Sequence, residues 1–430
     1  MSQNQKMSFI GTIIWLVCAL FFMYEFLLRT ILGTFEHPII QDLNLNLVTF
    51  AILSSTAYQL VYGIMQIPVG IITHRLGLKK TLFVAVFFCV LAVTGFGMSF
   101  GFDSAFVFRV LMGLGSSFGF ICLLVAVYDW MPRKHIALFI GLSQFIGTMG
   151  PMLAAGPLNS LSSHAELPWR YIFYALGAIG VVIAIIVLLV VRNNTDYTGS
   201  FRILKRQERL QVNLWQLVRQ RQVWYIACYS ACVYFAIEYF SENSGKAFLM
   251  LHGFSSDVSS YMLTLSWLGY AIGCPLLGFI SDRTSKRKRM MMFAAIICIF
   301  SVLCITYFPV NIIVISIAFF GLGIGASGQS IGFAIMAEQC NNNYLAAGLG
   351  LNNAMIMLVT SLMAPLIGGV LAHLSKGQAL SITNYQHGFL LILAVIAIGV
   401  LISIFLIKET FCKSTKETTK LTVTTLKTVE

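Results

Sequence analysis

The sequence predicts an all-α integral membrane protein whose twelve transmembrane helices form two parallel six-helix repeats, with both termini in the cytoplasm. Three observations support this fold class. Of the 430 residues, 58% are hydrophobic and 10% are charged, with a mean hydropathy of +0.84, whereas a soluble chain carries about twice that charged fraction. The apolar residues fall into runs of about 20 residues, the length that crosses a bilayer. The second half of the chain also repeats features of the first.

Twelve apolar runs divide the chain, and its longest polar segment separates the sixth run from the seventh. The first run is too long for the core of a signal peptide and lacks a small-residue cleavage site, so we expect it to be retained. The domain organisation follows: an N-terminal bundle over 1–191, a cytoplasmic linker over 192–222, a C-terminal bundle over 223–408 and a cytoplasmic tail over 409–430. The expected spans are 9–32, 48–72, 81–100, 105–128, 136–158, 171–191, 223–241, 259–281, 290–308, 311–337, 344–374 and 388–407.

The basic residues predict the orientation. With the N-terminus inside, 23 of the 28 Lys and Arg fall in loops and tails on the cytoplasmic side, and the opposite loops hold only Arg170, Lys246 and Lys376. Cytoplasmic loops accumulate positive charge, so the termini and the linker are expected inside. This placement explains the net charge of +12. A nucleic-acid partner, which would need basic residues gathered on one exposed face, is therefore not expected.

An internal repeat appears when the chain is shifted against itself by 208 residues. Parallel repeats of this kind are typical of transporters that bind a solute near the bilayer midplane, between the two halves. The superposed pairs include Tyr62 with Tyr270, Gly70 with Gly278, Arg75 with Arg283 and Lys79 with Arg287, and the triplet at 113–115 with that at 321–323.

Two loops on the cytoplasmic side carry the same pattern, GIITHRLGLKKTL over 70–82 and GFISDRTSKRKRM over 278–290. A glycine at a helix end permits close packing, and the basic residues can lie against helix carbonyl ends or anionic headgroups. We predict that these loops act in gating. The residues proposed for gating are Gly70, Arg75, Gly77 and Lys79 in the first loop and Gly278, Asp282 and Arg283 in the second.

This loop pattern resembles the signature of the major facilitator superfamily, which runs Gly, three residues, Asp, Arg, one residue, Gly and then basic residues. Position 74 is His where the family has Asp, while Asp282 restores the acid in the second copy and Ser285 replaces a glycine. RVLMGLGSS (109–117) and PWRYIF (168–173) resemble the fourth-span motif and the opening of the sixth span. The resemblance covers essentially the whole chain and implies transport by alternating access.

Three further segments resemble the proteobacterial phagosomal nutrient transporters, which are similar to lysosomal dipeptide transporters. They are YEFLLR (24–29), YGIMQIPVGII (62–72) and GLNN (350–353). The resemblance implies amino acids or nucleosides as solutes and a bacterial inner membrane as the location. GTMGPMLAAGP (147–157) partly resembles an antiporter motif, although its small residues also suit helix packing alone.

Charged residues within the apolar runs are the strongest candidates for a solute and proton site. With a helix rise of about 1.5 Å per residue, Glu25 lies about 24 Å along the first run and Glu238 about 22 Å along the seventh. Arg109 lies at a comparable depth in the fourth. A charge in the hydrocarbon is unfavourable by about 2.5 to 3.5 kcal/mol, so such groups face a wet cavity or pair with one another. Glu25 and Arg29, four residues apart, could instead simply neutralise each other.

Carboxylates and guanidiniums in one cavity suit a zwitterion, since Arg binds a carboxylate and Glu accepts from an ammonium group. A buried carboxylate is also a candidate proton carrier. We therefore predict proton-coupled uptake, by symport, of an amino acid or small peptide. The polar residues expected to line the cavity with these charges are Tyr58, Gln59, Tyr62, Gln329, Asn352 and Asn353.

Two other functions remain open: a proton antiporter that exports a drug, siderophore or metabolite, and a membrane sensor that does not transport. An enzyme is not expected, because the sequence has no nucleotide loop, nucleophile triad or metal-ligand cluster. The ten cysteines include no CxxC pair, so neither a metal site nor a disulfide framework is predicted. The expected partners are a small-molecule substrate and the lipid bilayer, the chain is expected to be a monomer, and no cofactor beyond a proton gradient is expected.

Overall fold

The computed structural model describes residues 8–132, 136–193, 217–308, 311–340 and 345–412. Within these ranges the chain is almost entirely helical and contains no strand. The predicted all-α fold is confirmed. Most of the expected linker and tail, and the side chain of His74, lie outside the described residues.

The helices of the first half follow the expected spans closely. We call the end of the molecule at which the first helix begins the inner end and the opposite end the outer end. The second span is a composite in which a π-helical turn, Ile52–Thr56, lies between two α-helices. The helices are α1 (Phe9–Thr34), α2 (Glu36–Asp42), α3 (Leu47–Ala51), α4 (Ala57–Leu76), α5 (Leu78–Gly97), α6 (Phe102–Ser116), α7 (Gly119–Trp130), α8 (Ile136–His164) and α9 (Trp169–Val190).

The second half repeats this order, with a short helix after its first span and a tenth span that, like the fourth, is formed by two helices. A π-helical turn, Ile402–Leu406, ends the last span. The helices are α10 (Arg221–Glu242), α11 (Gly245–Leu251), α12 (Ser256–Thr284), α13 (Arg287–Tyr307), α14 (Ile312–Ala326), α15 (Gly328–Gln339), α16 (Leu345–Ser375) and α17 (Ile382–Leu401).

Eleven helical segments of the described residues are long and apolar enough to cross a membrane. The twelfth expected span corresponds to α8, whose 29 residues are also long enough to cross. The number of spans and the cytoplasmic position of the termini remain predictions, with which these helices are compatible.

Local sequence explains where several helices begin and end. Asn46 and Thr49 form a capping box at the start of α3, each side chain accepting from the other's backbone N–H at 2.8 Å. Between α4 and α5 the chain turns at Gly77, whose φ of +78° favours glycine. A β-carbon there would also lie 2.8 Å from the Asn193 amide.

Small residues let the two halves approach closely in the outer part of the molecule. A β-carbon on Gly33 of α1 would lie 2.0 Å from the carbonyl oxygen of Ser241 on α10. On α8, Gly156 lies against Tyr261 and Thr264 of α12, and its backbone N–H donates to Thr264 Oγ1 at 2.9 Å. The antiporter-like segment at 147–157 therefore packs helices together, as its small residues allow.

Polar contacts between the halves lie mainly towards the outer end. The innermost is the hydrogen bond from Asn353 Nδ2 on α16 to Gln66 Oε1 on α4, at 3.1 Å. The polar contacts described at the inner end, including the backbone N–H of Lys79 to Asn193 Oδ1, stay within one half. The conformation is thus closed at the outer end.

Candidate functional site

Arg109 is fully buried on α6 and joins three spans of the first half. Its guanidinium donates to the carbonyl oxygens of Leu28 (2.7 Å) and Arg29 (2.6 Å) on α1. It also donates to those of Leu53 and Ser54, both at 2.9 Å, in the π-helical turn of the second span. The guanidinium thus satisfies carbonyl groups of the turn, where the regular α-helical bonding pattern is interrupted.

These bonds change the interpretation of Arg109. The sequence predicts that it shares the cavity with the carboxylates and binds solute, but its side chain is 0% exposed and its nitrogens are engaged with backbone carbonyls and with Met112 Sδ. It also stacks over the Tyr58 ring at 4.5 Å. The geometry therefore favours a positioning role, in which Arg109 sets the first, second and fourth spans relative to one another.

Arg29 on α1 points to the other half of the molecule. Its Nη2 lies 3.3 Å from Glu238 Oε1 and donates to Tyr234 Oη at 3.2 Å. Its Nε lies 4.0 Å from Glu242 Oε1 and has no hydrogen-bond partner among the described residues. The ion pairs that Arg29 forms are thus with α10 rather than with Glu25, so the simple neutralisation of Glu25 by Arg29 is not the arrangement found.

Glu25 instead lies within the first half. Its Oε2 accepts from the Tyr58 hydroxyl at 3.0 Å, and the Tyr62 ring stacks on that of Tyr58 with centroids 6.1 Å apart. On the facing fourth span, a β-carbon on Gly119 would lie 2.8 Å from Glu25 Cγ. The absence of a side chain at Gly119 therefore makes room for this buried carboxylate.

Glu238 lies on α10, the seventh span, which is the repeat partner of α1. Thr360 on α16 donates to its Oε2 at 2.9 Å, and Arg29 approaches its other oxygen. The pair Arg29–Glu238 joins the first and seventh spans, which the internal repeat relates to each other.

A third carboxylate, Glu242, was not predicted from the sequence. It is 0% exposed at the outer end of α10, and Gln59 Nε2 donates to its two oxygens at 2.9 and 2.8 Å. Ser55 Oγ donates to Oε2 at 3.0 Å. Its place four residues after Glu238, directly after the apolar run 223–241, is the signal that could have revealed it.

The remaining predicted cavity residues are more dispersed. Gln329 accepts from the Tyr270 hydroxyl at 2.7 Å within the second half, and Asn353 bonds to Gln66 across the halves. Asn352 is buried, and neither its amide oxygen nor its amide nitrogen has a partner among the described residues. The structure therefore brings Glu25, Arg29, Tyr58, Gln59, Tyr62 and Glu238 together. Gln329 and Asn353 bond elsewhere, and the Asn352 amide is without a partner among the described residues.

A second polar cluster joins the halves beyond the ends of the spans. Lys246 of α11 donates from Nζ to the Thr34 carbonyl at 3.0 Å and to Asn159 Oδ1 at 2.5 Å. Asn159 Nδ2 in turn donates to Asp257 Oδ1 at 2.9 Å. Burial raises the pKa of Glu36 to about 7, against the opposing charge of Lys246. Burial lowers the pKa of Lys246 to about 8, opposed by Glu36 and Asp257.

At the inner end of the second half, Asp282 forms an ion pair with Arg287, whereas Arg283, the other charged residue proposed for gating in this loop, is exposed. Arg287 Nη1 lies 2.5 Å from Asp282 Oδ1, and its Nη2 lies 2.9 Å from Glu338 Oε1. Arg75 in the first half is exposed as well. Arg287 is the repeat partner of Lys79, so the motif's paired basic residues, rather than its first arginine, carry this network.

The glycines of the two loops differ in their surroundings. A β-carbon on Gly70 or Gly278 would meet nothing within 4 Å, so neither makes the close packing that the sequence predicts for it in this conformation. Gly77 has the backbone conformation described above. The structure thus supports a backbone requirement at Gly77 and leaves Gly70 and Gly278 free to pack in another state.

Membrane-spanning helices in two related halves, meeting over buried charges, define the class of secondary transporters. Comparison of the chain with known proteins supports the same class. The chain belongs to the Major Facilitator Superfamily, whose family model matches residues 14–244 and 246–428. The resemblance found in the sequence is confirmed, and the protein is a transporter of this kind rather than an enzyme.

Curated relatives include the probable galactarate/D-glucarate transporter GudP of Escherichia coli K12, which is 24% identical over 90% of this chain and 92% of its own length. The D-galactonate transporter of Escherichia coli O6:H1 is 22% identical over 82% of this chain and 86% of its own length. The hexuronate transporter of Bacillus subtilis 168 is 24% identical over 61% of this chain and 64% of its own length. The names of these relatives refer to sugar acids, not to amino acids or peptides.

Two solved structures have the same fold. A bacterial homologue of the human lysosomal transporter Spinster, in an inward-facing and occupied conformation, superposes with a TM-score of 0.70 at 16% identity, over 91% of this chain and 95% of its own. A mutant form of the nucleoside transporter NupG superposes with a TM-score of 0.73 at 13% identity, over 93% of this chain and 100% of its own. At these identities the likeness concerns the fold alone.

Proposed function

We propose that the protein takes up a small carboxylate-bearing solute together with protons, by alternating access between its two halves. The observation that carries this proposal is the buried cluster of Glu25, Glu238 and Glu242 around Arg29. Both halves contribute to it, so any motion that separates the halves changes the partners of these charges.

The charge balance of the cluster supports proton coupling. Arg109 is occupied by carbonyl oxygens, which leaves Arg29 as the guanidinium available to three carboxylates. Glu238 and Glu242 lie one helical turn apart and approach the same guanidinium. Like charges in a dry site cannot all ionise without a large penalty, so a proton is expected to be held within the cluster. A change in that proton's position would accompany the conformational cycle.

The solute class follows from Arg29. Its planar guanidinium can bind a carboxylate through two hydrogen bonds once Glu238 is neutral or displaced. The excess of carboxylates around it would accept from a solute ammonium group. A zwitterion, such as an amino acid or small peptide, uses both features and is our first candidate.

A sugar acid is the second candidate, and the names of the relatives favour it. A sugar acid offers Arg29 the same carboxylate, and its hydroxyl groups could bond to Gln59, Tyr62 or Tyr234, which lie around the cluster. The two candidates differ in what they require of the acidic residues. A zwitterion needs an ionised carboxylate for its ammonium group, whereas a sugar acid does not.

Uptake by purified protein in proteoliposomes tests the proposal. An inward proton gradient should drive accumulation of at least one member of a panel of amino acids, dipeptides, nucleosides and sugar acids, and a protonophore should abolish it. Glu25→Gln and Glu238→Gln should weaken zwitterion binding by about tenfold or more, because a charged hydrogen bond is lost, but should spare sugar-acid binding. Accumulation driven by an outward gradient alone would instead favour export, and no transport of any member would contradict the proposal.

The placement in the cell is part of the same proposal. We expect a monomer in a bacterial inner membrane, with both termini and the linker in the cytoplasm and the domain boundaries given above. A cysteine at exposed Gln378 in the outer loop should react with an impermeant reagent in intact cells, and one at exposed Lys80 should not. The reverse pattern would overturn this orientation.

A further inference from the structure

Five polar residues form what we call the outer cluster: Ser54, Ser55 and Gln59 of the second span, and Glu242 and Asn243 at the end of the seventh. Ser54 Oγ donates to Asn243 Oδ1 at 2.7 Å, and Asn243 Nδ2 donates to Ser55 Oγ at 3.1 Å. Ser55 and Gln59 donate to the Glu242 carboxylate. Every one of these bonds joins the two halves, so the outer end can open only if they break.

We propose that Glu242 controls the opening of the outer end: the ionised carboxylate holds the halves together, and its protonation releases them. The inference rests on the proposed proton-coupled transport and assigns the coupling step to a residue that the sequence did not single out. It also gives a direction to the cycle, because acid on the outer side would open the carrier to that side, as uptake requires.

The hydrogen-bond pattern explains why protonation would release the contact. An ionised carboxylate is an acceptor only, and both Glu242 oxygens already accept from Gln59, while Oε2 also accepts from Ser55. A proton on either oxygen would turn an acceptor into a donor that faces another donor. At least one bond between the halves would be lost, and the attraction to Arg29 would weaken with it.

The surrounding charges make Glu242 responsive to a proton. Arg29 of α1 approaches it at 4.0 Å but lies closer, at 3.3 Å, to Glu238 on the preceding turn of α10. Arg109 of α6 is bound to carbonyl oxygens, Glu25 of α1 is bound to Tyr58 of α4, and Lys246 of α11 is bound to Thr34 and Asn159. No cation of the described residues is therefore dedicated to Glu242, and its main stabilisation comes from neutral donors.

The backbone holds the donors of the first half in place. Ser54 and Ser55 belong to the π-helical turn, whose Leu53 and Ser54 carbonyls are bound by Arg109. Close packing of Gly33 against Ser241 and Glu242 brings α1 and α10 into contact at the same level. Glu242 thus meets a preorganised set of donors when the outer end closes.

Distance measurements between spin labels test the inference without any solute. Labels at Gln41 and Ala379, exposed outer-end positions of the two halves, would be attached to cysteines on a cysteine-free background. In the otherwise unmodified carrier, lowering the pH from 8 to 5.5 should raise the population with the longer distance. A rise of about tenfold corresponds to the loss of one hydrogen bond to a charged group. Glu242→Gln should show the longer distance at both pH values.

Glu36→Gln is the matched control, since Glu36 is another buried carboxylate at the outer end, with a pKa of about 7, but belongs neither to the outer cluster nor to the proposed solute site. This variant should keep the pH response. A double change, Ser55→Ala with Gln59→Met, removes the donors and leaves the carboxylate, and should raise the open population at pH 8 and reduce the pH response. This double variant provides an independent test if the Glu242 variant does not fold.

Two results would overturn the inference: a Glu242→Gln carrier that follows the unmodified pH response or stays closed at both pH values, or a Glu36→Gln carrier that loses the response. Uptake assays distinguish failure of this role of Glu242 from failure of the proposed transport. If the distances respond to pH through Glu242 but no solute is accumulated with protons, the proposed transport fails and the role of Glu242 stands. If proton-driven uptake is found while the distances ignore pH, the role of Glu242 fails alone.

Discussion

Replacing Arg109 with Met should destabilise the fold rather than remove a solute contact. The substitution leaves four buried carbonyl oxygens, those of Leu28, Arg29, Leu53 and Ser54, without their charged donor. At the average of about 0.6 kcal/mol for a hydrogen bond inside a membrane protein, four bonds contribute about 2.4 kcal/mol. At about 1 kcal/mol for each buried acceptor left without a partner, the loss is about 4 kcal/mol. We expect a destabilisation between these values.

Arg109→Lys provides the graded comparison. A lysine keeps the charge but has three donors in place of five, and these cannot reach two helices in the planar arrangement of a guanidinium. About half of the destabilisation should therefore remain. The free energy of unfolding can be measured in mixed detergent micelles, with the fluorescence of the six tryptophans as the signal. Solute or proton binding by the folded fraction is measured in parallel.

One result would refute the reasoning for Arg109. One outcome is that the free energy of unfolding of Arg109→Met lies within about 0.5 kcal/mol of that of the unmodified protein, as for surface substitutions, while the folded variant loses solute affinity. The bonds to carbonyl groups would then not be the main role of Arg109. Arg109 would then belong to the solute site, as the sequence alone suggests.

Three further outcomes are expected. Gly33→Ala should prevent closure of the outer end, since its β-carbon would lie 2.0 Å from the Ser241 carbonyl oxygen. Gly70→Ala, whose β-carbon would meet nothing within 4 Å, should close normally. Spin-label distances at the outer end measure closure, and equal closure of the two variants would contradict this. The melting temperature should fall as the pH rises from 5 to 8, because Glu36, with a pKa of about 7 against a usual 4.5, holds a proton in the folded state that the unfolded chain has lost. Glu36→Gln should reduce the dependence of melting temperature on pH, and an unchanged dependence would contradict its assignment to Glu36. Arg287→Met should slow turnover with little change in solute affinity, because Arg287 binds Asp282 and Glu338. Arg283→Ala should slow turnover much less. A larger loss of turnover in Arg283→Ala would contradict this.

The sequence by itself determined the class of the molecule, because the free energy of placing a segment in a bilayer depends on the segment's own side chains. Apolar runs about 20 residues long predict helices wherever they occur, since a backbone in lipid must satisfy its own polar groups. The loop motif and the 208-residue repeat indicated the superfamily for the same reason, because each is a pattern in neighbouring or regularly spaced residues. Glu25, Arg29 and Glu238 were found from the unfavourable free energy of a charge in hydrocarbon.

Only the tertiary structure decided which partner each charge has. Arg29 has a carboxylate four residues away in sequence, yet its ion pairs are with Glu238 and Glu242, more than 200 residues away. Arg109 donates to carbonyl groups of a π-helical turn that no residue pattern predicts. Such contacts depend on how the halves pack and on which face each helix turns to the other. Several neighbours compete for each charge, and the packing of distant segments, rather than separation along the chain, selects among them.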